Sequence, residues 1–121
     1  MNTSFKHPPF KVLIIDDNPL SLKLLSVFAM KWALDFDLSS NGTDAISLAN
    51  TTNYELILMD MQLPDMSGIE VVEKIHTTSQ QNHVIDLTGM DNTSTDVLVK
   101  PYDPTVLKEK IDILKLKKMA A

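Results

Sequence analysis

The stretch KVLIIDDNPL, residues 11–20, contains the most informative pattern for the fold of this chain. Its lysine is followed by four apolar residues, an unbroken run that is typical of a strand buried on both faces of a parallel sheet. Asp16 and Asp17 come directly after this run, and Asn18 before Pro19 is a helix start, with an N-cap residue and a proline in the first turn. A buried strand that ends in two acids and leads straight into a helix predicts an α/β fold with acidic groups at one edge of its sheet.

The same alternation of strand and helix signals continues along the chain. Further strands are predicted at DFDLS (35–39), ELILMD (55–60), HVIDLT (83–88) and DVLV (96–99). Helices are predicted from Pro19 to about Trp32, after Asn41 and Gly42 to about Asn50, at the capping box from Ser67 to Glu70, and after Asp103 and Pro104 with Leu107, Ile111 and Leu114 on one face. The order β-α-β-α-β-α-β-loop-β-α predicts a doubly wound parallel sheet, whose ligands sit at the carboxyl ends of its strands.

The last crossover of this predicted sheet is unusually short. Only the seven residues from Gly89 to Thr95 separate the fourth strand from the fifth. Fully extended, they reach about 23–25 Å, while a five-residue strand spans about 17 Å, so the return leaves no room for a packed helix. We therefore expect about four helices in all. The apolar side chains of 84–87 and 97–99 would then be thinly covered, and we expect self-association or partner binding on the face between these strands and the last helix.

Composition limits the classes of function that the chain can have. With 121 residues and 44% hydrophobic residues it fits one domain, expected over residues 10–119 after a flexible tail of residues 1–9. There is no cysteine and no apolar stretch long enough to span a membrane, so we expect a soluble cytoplasmic domain without thiolate sites. The net charge is −5 and all eleven basic residues are lysines, which argues against direct binding of nucleic acid.

Polar side chains stand at the predicted carboxyl ends of several strands. These residues are Asp16, Asp17, Asp60, Thr88 and Lys100. Each has a simpler explanation on its own, as a cap, a turn residue, a β-former or a surface lysine. Together those explanations are weak, because three carboxylates brought to one edge repel one another unless a cation holds them.

Phosphoryl transfer to a carboxylate is the chemistry that fits this set. Mg²⁺ favours a shell of carboxylate and water oxygens, which Asp16, Asp17 and Asp60 can supply. Asp60 would be the nucleophile that forms an acyl phosphate, while the metal and Lys100 would neutralise charge on the phosphoryl group. Thr88 could donate its hydroxyl to a phosphoryl oxygen.

Five short motifs also occur in the order found in a known family. They are VLIIDDNPL, NGTDAI, LILMDMQLPDMSG, LTG and VKPY. In these motifs the chain resembles, over nearly its whole length, the receiver domain of the two-component response regulators, and MDMQLPDMSG most resembles receivers fused to hybrid sensor kinases. The resemblance implies a flavodoxin-like, five-stranded parallel sheet in the order 2-1-3-4-5.

The resemblance also implies a role for each site residue. Asp60 would be the phosphoacceptor, Asp16 and Asp17 would bind Mg²⁺ with help from the Gln62 carbonyl, Lys100 would contact the phosphate and Thr88 would be the switch hydroxyl. The phosphodonor would be a phosphohistidine on a sensor histidine kinase or a histidine phosphotransfer protein. The domain would catalyse only its own phosphorylation and dephosphorylation, although a parent hybrid kinase would be an enzyme.

Two departures from the family concern the switch that follows phosphorylation. The segment from Thr88 to Lys100 is shorter than the family's by about a helix, and Val97 stands where the family usually has an aromatic residue. The motifs for phosphorylation are complete, whereas the usual coupling between the threonine and the aromatic cannot be assumed.

Two other functions remain open from the sequence. One is a degenerate receiver that acts only as a phosphorylation-independent binding module, against which the complete acidic set argues. The other is an aspartyl-phosphate hydrolase of the haloacid dehalogenase type, which needs a second acid two residues after its nucleophile. This chain has Gln62 there.

The first predicted helix carries more apolar residues than one buried face needs. Leu20, Leu22 and Val27 are predicted to lie off a buried stripe that consists of Leu24, Leu25, Phe28 and Ala29. Exposed apolar residues beside the acidic site suit docking of the phosphodonor, while looser packing of the helix is the alternative.

Overall fold

The structure, a computed structural model, describes residues 10–60, 63–78, 83–86, 96–97 and 104–120. Its strands are β1 (Lys11–Ile15), β2 (Asp35–Ser39), β3 (Leu56–Met59), β4 (His83–Asp86) and β5 (Asp96–Val97). Its helices are α1 (Pro19–Lys31), α2 (Gly42–Thr51), α3 (Gly68–Thr78) and α4 (Pro104–Ala120). The strands form one parallel sheet in the order β2-β1-β3-β4-β5. The predicted doubly wound sheet is confirmed, with four helices in the described ranges.

The two faces of the sheet are covered by different helices, because successive side chains of a strand point to opposite faces. On one face, β1 and β3 pack against α1 and α4 through Val12, Ile14, Leu56, Leu58, Leu25, Ala29, Leu107 and Ile111. On the other face, the same strands pack against α2 and α3 through Leu13, Ile15, Ile57, Met59, Ala45, Ala49, Val71 and Ile75. Since β1 and β3 are buried on both sides, their continuous apolar sequences are the pattern that such strands require.

Just after the C-terminus of α1, one residue has a left-handed backbone conformation. Ala33 has φ of 55°, and its N–H donates to the Met30 carbonyl at 3.1 Å. The N–H of Leu34 donates to the Ala29 carbonyl at 2.9 Å. These two bonds make a Schellman motif, in which the left-handed position usually holds glycine. The motif turns the chain back toward β2.

The buried stripe predicted for α1 is partly wrong. Leu25 and Ala29 are buried, as predicted, but Leu24 is 49% exposed and Leu22 packs against the core. Consecutive helix residues are about 100° apart, so a helix that buries Leu25 turns Leu24 away from the sheet. The stripe that faces the core consists of the buried Leu25 and Ala29 with the partly buried Leu22 and Trp32. The exposed apolar stripe on the opposite side is Leu20, Leu24 and Val27.

The face predicted for α4 is confirmed. Leu107 and Ile111 are buried, and Leu114 is partly buried against the same cluster. Outward, α4 exposes Val106, Ile113 and Leu116. None of the helices in the described ranges is long and apolar enough to cross a membrane.

Several predictions lie outside the described residues. These concern the tail of residues 1–9, the crossover of residues 87–95, the N-cap Asp103 and the exposure of strand side chains beside that crossover. The premise of the short crossover is confirmed, because β4 and β5 are parallel neighbours with Ile85 opposite Asp96. Self-association through this face stays a prediction.

Candidate functional site

Asp16 is held at the carboxyl edge of the sheet by the end of β1. It follows Ile15 and is fully buried. Its N–H donates to the Ser39 carbonyl at 3.1 Å, which continues the pairing of β1 with β2 by one residue. Its Oδ1 accepts the N–H of Asn18 at 2.9 Å. The carboxylate is therefore fixed between the end of the strand and the start of α1.

Asn18 determines where the chain turns into α1. Its Oδ1 accepts the N–H groups of Leu20 and Ser21 at 2.9 and 3.2 Å, and Pro19 takes the first helical position. The cap oxygen accepts hydrogen bonds from two of the N–H donors that every helix start leaves without intrahelical partners. As a result, α1 begins within two residues of the acidic pair, as the sequence predicts.

Asp60 is held beside Asp16 by the end of β3. Its N–H donates to the Ile15 carbonyl at 2.9 Å, and the residue is 6% exposed. Because β1 and β3 are parallel neighbours with Ile15 opposite Met59, the residues that follow them lie side by side. The backbone thus brings two carboxylates, 44 positions apart in sequence, to one point of the edge.

Together with Asp17, these two acids form a cluster of three carboxylates. One carboxylate oxygen from each of Asp16, Asp17 and Asp60 lies within 4.8 Å of the others. Asp16 and Asp60 are buried, while Asp17 is exposed. Like charges this close disfavour one another, and a divalent cation relieves that repulsion while it takes oxygen ligands. The donor set, three carboxylates with one side open to water, is compatible with Mg²⁺.

The other predicted site residues are not among those that the structure describes. These are Gln62, Thr88 and Lys100. Their predicted roles as a metal-binding carbonyl, a switch hydroxyl and a phosphate contact stay predictions.

Asp65 makes a set of contacts near the site that sequence reasoning missed. It lies in the loop between β3 and α3, and its Oδ1 accepts the N–H of Gly42 at 2.8 Å. Its Oδ2 accepts the N–H and the Oγ1–H of Thr43 at 2.9 and 2.6 Å. These bonds, led by the Thr43 hydroxyl, lower the pKa of Asp65 from 3.8 to about 2. Asp65 is 23 residues from Gly42 and 22 from Thr43 in sequence. A proline followed by an acid, the local pattern here, does not predict a contact over such a separation.

A second polar group lies on the sheet near the amino ends of its strands, away from the acidic cluster. The hydroxyl of the buried Tyr54 donates to Asp37 Oδ2 at 2.6 Å, and Lys11 Nζ lies 3.6 Å from the same oxygen. Burial raises the pKa of Tyr54, and the hydrogen bond to Asp37 raises it further. This group joins β2 to the residues before β3 and has a structural role.

Comparison with known proteins adds to this geometry. Residues 12–112 match the family model of the response regulator receiver domain. The response regulator SSK1 of Verticillium dahliae is 36% identical over 77 residues, which is 64% of this chain and 9% of that protein. The chain spans between 9% and 20% of the length of the first curated relatives it matches.

Many solved structures share the fold, and two of them bear on the site. The receiver domain of Saccharomyces cerevisiae Ssk1, solved in complex with the histidine phosphotransfer protein Ypd1, has a TM-score of 0.82 and 26% identity over 93% of both chains. A sensor histidine kinase receiver domain from Pseudomonas aeruginosa PAO1, solved with magnesium in its active site cleft, has a TM-score of 0.79 and 21% identity. That likeness covers 94% of this chain and 100% of the other.

The family match and the acidic edge refer to the same part of the molecule. The matched residues include all three clustered acids, β1 from its second residue, the other four strands, the first three helices, and α4 up to Asp112. Since the match takes in most of the chain, this chain belongs to the response regulator receiver domain family.

Proposed function

We propose that the chain accepts a phosphoryl group on Asp60 in a two-component or phosphorelay system and changes conformation to control a partner or output. The observation that carries this proposal is the cluster of Asp16, Asp17 and Asp60 within 4.8 Å at the carboxyl edge of the sheet. A binding module that never undergoes phosphorylation would have no need to keep three mutually repelling acids together.

The transfer itself is a displacement at phosphorus. A carboxylate oxygen of Asp60 attacks the phosphoryl group, the bond from phosphorus to the donor's imidazole nitrogen breaks, and a phosphorus–oxygen bond forms. Hydrolysis by water later returns the carboxylate and releases phosphate. Asp16, Asp17, Asp60 and the Gln62 carbonyl are the proposed ligands of Mg²⁺, which would supply positive charge opposite the phosphoryl oxygens.

The chain's own residues orient this reaction. The N–H bond to Ile15 holds Asp60 at the edge, and the Asn18 N–H holds Asp16 beside it. Lys100 is proposed to pair with the phosphoryl oxygens, and Thr88 to donate its hydroxyl to one of them. Self-phosphorylation and self-dephosphorylation are the whole of the proposed catalysis.

We propose that the donor is a histidine phosphotransfer protein or sensor histidine kinase that docks on α1. The exposed stripe of Leu20, Leu24 and Val27 begins three residues after Asp17 of the acidic cluster. A donor bound there would have its phosphohistidine close to Asp60. The yeast Ssk1 receiver, solved with its phosphotransfer protein, supports a donor of this kind. Leu22, which the sequence placed on this surface, faces the core instead.

The proposed setting is a receiver of residues 10–119 in the cytoplasm, where a chain without cysteine is suited to reducing conditions. The motif MDMQLPDMSG favours a receiver that belongs to a hybrid sensor kinase.

Intact-mass spectrometry with acetyl phosphate as a small donor tests the proposal. The chain should gain one phosphate in the presence of Mg²⁺ and none after chelation, because the bare carboxylates repel the incoming anion. Asp60→Asn should gain none under either condition.

A neighbouring acid serves as the control. Asp65→Asn leaves Asp60 in place and should still be labelled, even if more slowly. Equal labelling of Asp60→Asn and wild type would refute the assignment of the phosphoacceptor. A wild-type chain that neither binds Mg²⁺ nor becomes labelled would favour the binding module.

A further inference from the structure

We infer that the outward side of α4 binds the same side of α4 in a second copy of this chain, with the two helices parallel. The surface concerned is the outer stripe, which consists of the exposed Val106, Ile113 and Leu116 with Glu109 between the first two. The inference goes beyond the proposed function, because it depends neither on phosphorylation nor on Mg²⁺.

The outer stripe lies on the side of α4 that faces away from the sheet. Leu107 and Ile111 are buried against the core, whereas Val106, Ile113 and Leu116 are 39%, 53% and 65% exposed. At about 100° per residue, these three apolar side chains share the side of the helix opposite the buried pair. Single exposed apolar residues are ordinary, but large ones grouped on one side of a helix mark an interaction surface.

The spacing of the outer stripe is that of a two-stranded coiled coil. Val106 and Ile113 are seven residues apart, and Leu116 follows three residues later, so they take the a, a and d positions of a heptad. Valine or isoleucine at a with leucine at d is the combination that favours a parallel pair. Because α4 is already formed on the core, this pairing does not need a long helix of its own.

The charges beside the outer stripe match a parallel pair of identical helices. Asp112 takes the g position on one flank, and Lys117 takes the e position on the other flank, five residues later. In a parallel pair, Asp112 of each copy therefore faces Lys117 of the other. In an antiparallel pair the flank with Lys110 and Lys117 would face its own counterpart, and like charges would meet. This complementarity between the two flanks of one helix fits a second copy as the partner.

Asp112 also has a partner in its own helix. Lys108 Nζ donates to Asp112 Oδ2 at 2.8 Å, and both side chains are about half exposed. An exposed pair of this kind contributes little, and a carboxylate accepts more than one hydrogen bond. The bond to Lys108 is therefore compatible with a second one to Lys117 of the other copy.

Glu109 should keep the association weak. It takes the d position between Val106 and Ile113, so in a parallel pair the two copies of Glu109 would meet in the contact. The contact is also short, since it extends over residues 106–117 of one helix, and we expect it to bury less than about 1,200 Å², as weak and transient interfaces do. The chain should therefore be monomeric at low micromolar concentrations and dimeric only at much higher ones.

Sedimentation equilibrium of the full 121-residue chain over a concentration series tests the surface. Ile113→Glu should raise the dissociation constant of the dimer at least about tenfold, because a central apolar contact is replaced by two like charges. Glu109→Leu should lower it by about tenfold, because it removes the charge from the contact. Met30→Glu on α1 is the matched control, since Met30 and Leu116 are equally exposed at 65%, and it should leave the constant unchanged.

A charge exchange tests the pairing of the flanks. Lys117→Asp alone should weaken the dimer, because Asp112 of the other copy would then face a second acid. Addition of Asp112→Lys to the same chain should restore the dimer. Circular dichroism of each variant shows whether α4 stays folded.

Cross-linking tests the direction of the helices. The chain has no cysteine, so Val106→Cys and Leu116→Cys can each be oxidised alone with copper phenanthroline. Both should form a disulfide with their own copy, since each a or d position meets its counterpart in a parallel pair. Met30→Cys gives the yield of random collisions.

Three results would overturn the inference and leave the proposed function standing. One is a chain that stays monomeric at millimolar concentration. Another is a dimer that neither Ile113→Glu nor Glu109→Leu changes, which would place self-association on another face. The third is a disulfide that forms only between Val106→Cys and Leu116→Cys when the two chains are mixed, which would show an antiparallel pair.

Discussion

At the scale of single residues, the acidic cluster provides a site for a cation but should lower the free energy of unfolding when no cation is bound. Asp16 and Asp60 are buried, and their backbones are held by neighbouring strands, so neither can move away from the other. Asp17 is the exposed member, and it adds the third negative charge to the cluster, in a chain whose net charge is −5. Without a cation, the free energy of unfolding should therefore be lower than the fold alone would give.

Asp17→Asn should separate these two effects. In the presence of a chelator, the free energy of unfolding of the variant should be about 0.5–1 kcal/mol higher than that of the wild type, because a partly screened repulsion has been removed. With Mg²⁺ present the order should reverse, since the wild-type chain gains free energy from binding and the variant gains less. Urea unfolding with and without Mg²⁺ measures both differences.

Glu73→Gln on the exposed side of α3 is the control for a general effect of net charge. It removes one charge outside the cluster and should change the free energy of unfolding by the same amount with and without Mg²⁺. A stabilisation by Glu73→Gln as large as that by Asp17→Asn would mean that the cluster has no special repulsion.

The clustered acids could be predicted from sequence, whereas Asp65 could not. Asp16, Asp17 and Asp60 stand at the ends of continuous apolar strands, and parallel strands bring their carboxyl ends to one edge. The contact of Asp65 with α2 depends on the distance between α2 and the loop after β3, which arises only when the whole core packs. A pattern of apolar residues does not contain that distance.

At the scale of elements, the ends of α1 differ in how well they follow known helix signals. The N-terminus has asparagine and proline at the preferred positions, so its start was predicted. The C-terminus has Ala33 in the left-handed region, where the Cβ of an L-residue costs about 1–2 kcal/mol. The sequence does not predict this turn, because the left-handed position usually holds glycine, whereas alanine favours continuation of the helix.

Ala33→Gly should therefore stabilise the chain by about 0.5–1 kcal/mol, the cost of the left-handed alanine minus the extra entropy of glycine in the unfolded state. Thermal unfolding followed by circular dichroism measures the change. Ala33→Val should act in the opposite direction, since a β-branched side chain fits this region worse. A lower melting temperature for Ala33→Gly would contradict this account of the turn.

Tyr54, two residues before β3, is joined to β2 by a partly buried hydrogen bond. Its hydroxyl donates to Asp37 on β2, although β1 lies between β2 and β3 in the sheet. Tyr54→Phe should lower the free energy of unfolding by about 1 kcal/mol at neutral pH, a typical net value for one hydrogen bond.

The effect of Tyr54→Phe should depend on pH. Folding raises the pKa of Tyr54 above its ordinary value of 10.0, first by burial and then through Asp37. The folded state thus favours the neutral phenol, so its contribution is complete below pH 10 and declines as the pH rises above that value. Urea unfolding at neutral pH and above pH 10 should show the difference between wild type and variant shrinking. A difference that stays constant would mean that the phenol titrates equally in both states.

At the scale of the whole molecule, the doubly wound sheet separates the proposed functions in space. The face with α2 and α3 carries the hydrogen bonds of Asp65 to the start of α2, and the face with α1 and α4 carries the exposed apolar stripe of α1. The acidic cluster lies at the edge where both faces end. The alternation of strands and helices predicted a doubly wound sheet with helices on both faces, but it did not predict the contact of Asp65.

The buried side of α1 was predicted less well than the fold, because nearly every apolar residue of this helix fits some stripe. Leu24 and Leu25 are adjacent, and the pattern alone does not say which one faces the sheet. In the structure Leu25 is the buried one, and Ala29, four residues later on the same side of the helix, is buried with it in the cluster that α1 forms with the sheet. Leu24 then joins Leu20 and Val27 in the exposed stripe, which spans about 10 Å along the helix.

The position of this stripe leads to the last prediction, which concerns docking of the phosphodonor. Leu24→Glu should raise the concentration of a phosphorylated histidine phosphotransfer protein needed for half-maximal transfer by about tenfold, as expected when a central apolar contact is lost. The same variant should take phosphate from acetyl phosphate at the wild-type rate, because a small donor needs no docking surface. Leu116→Glu on α4 is the matched control, since this leucine is also exposed but lies about 18 Å along its helix from the end near the site. Equal transfer to both variants would exclude α1 as the docking surface, whereas equal loss with acetyl phosphate would show that Leu24→Glu disturbs the site itself.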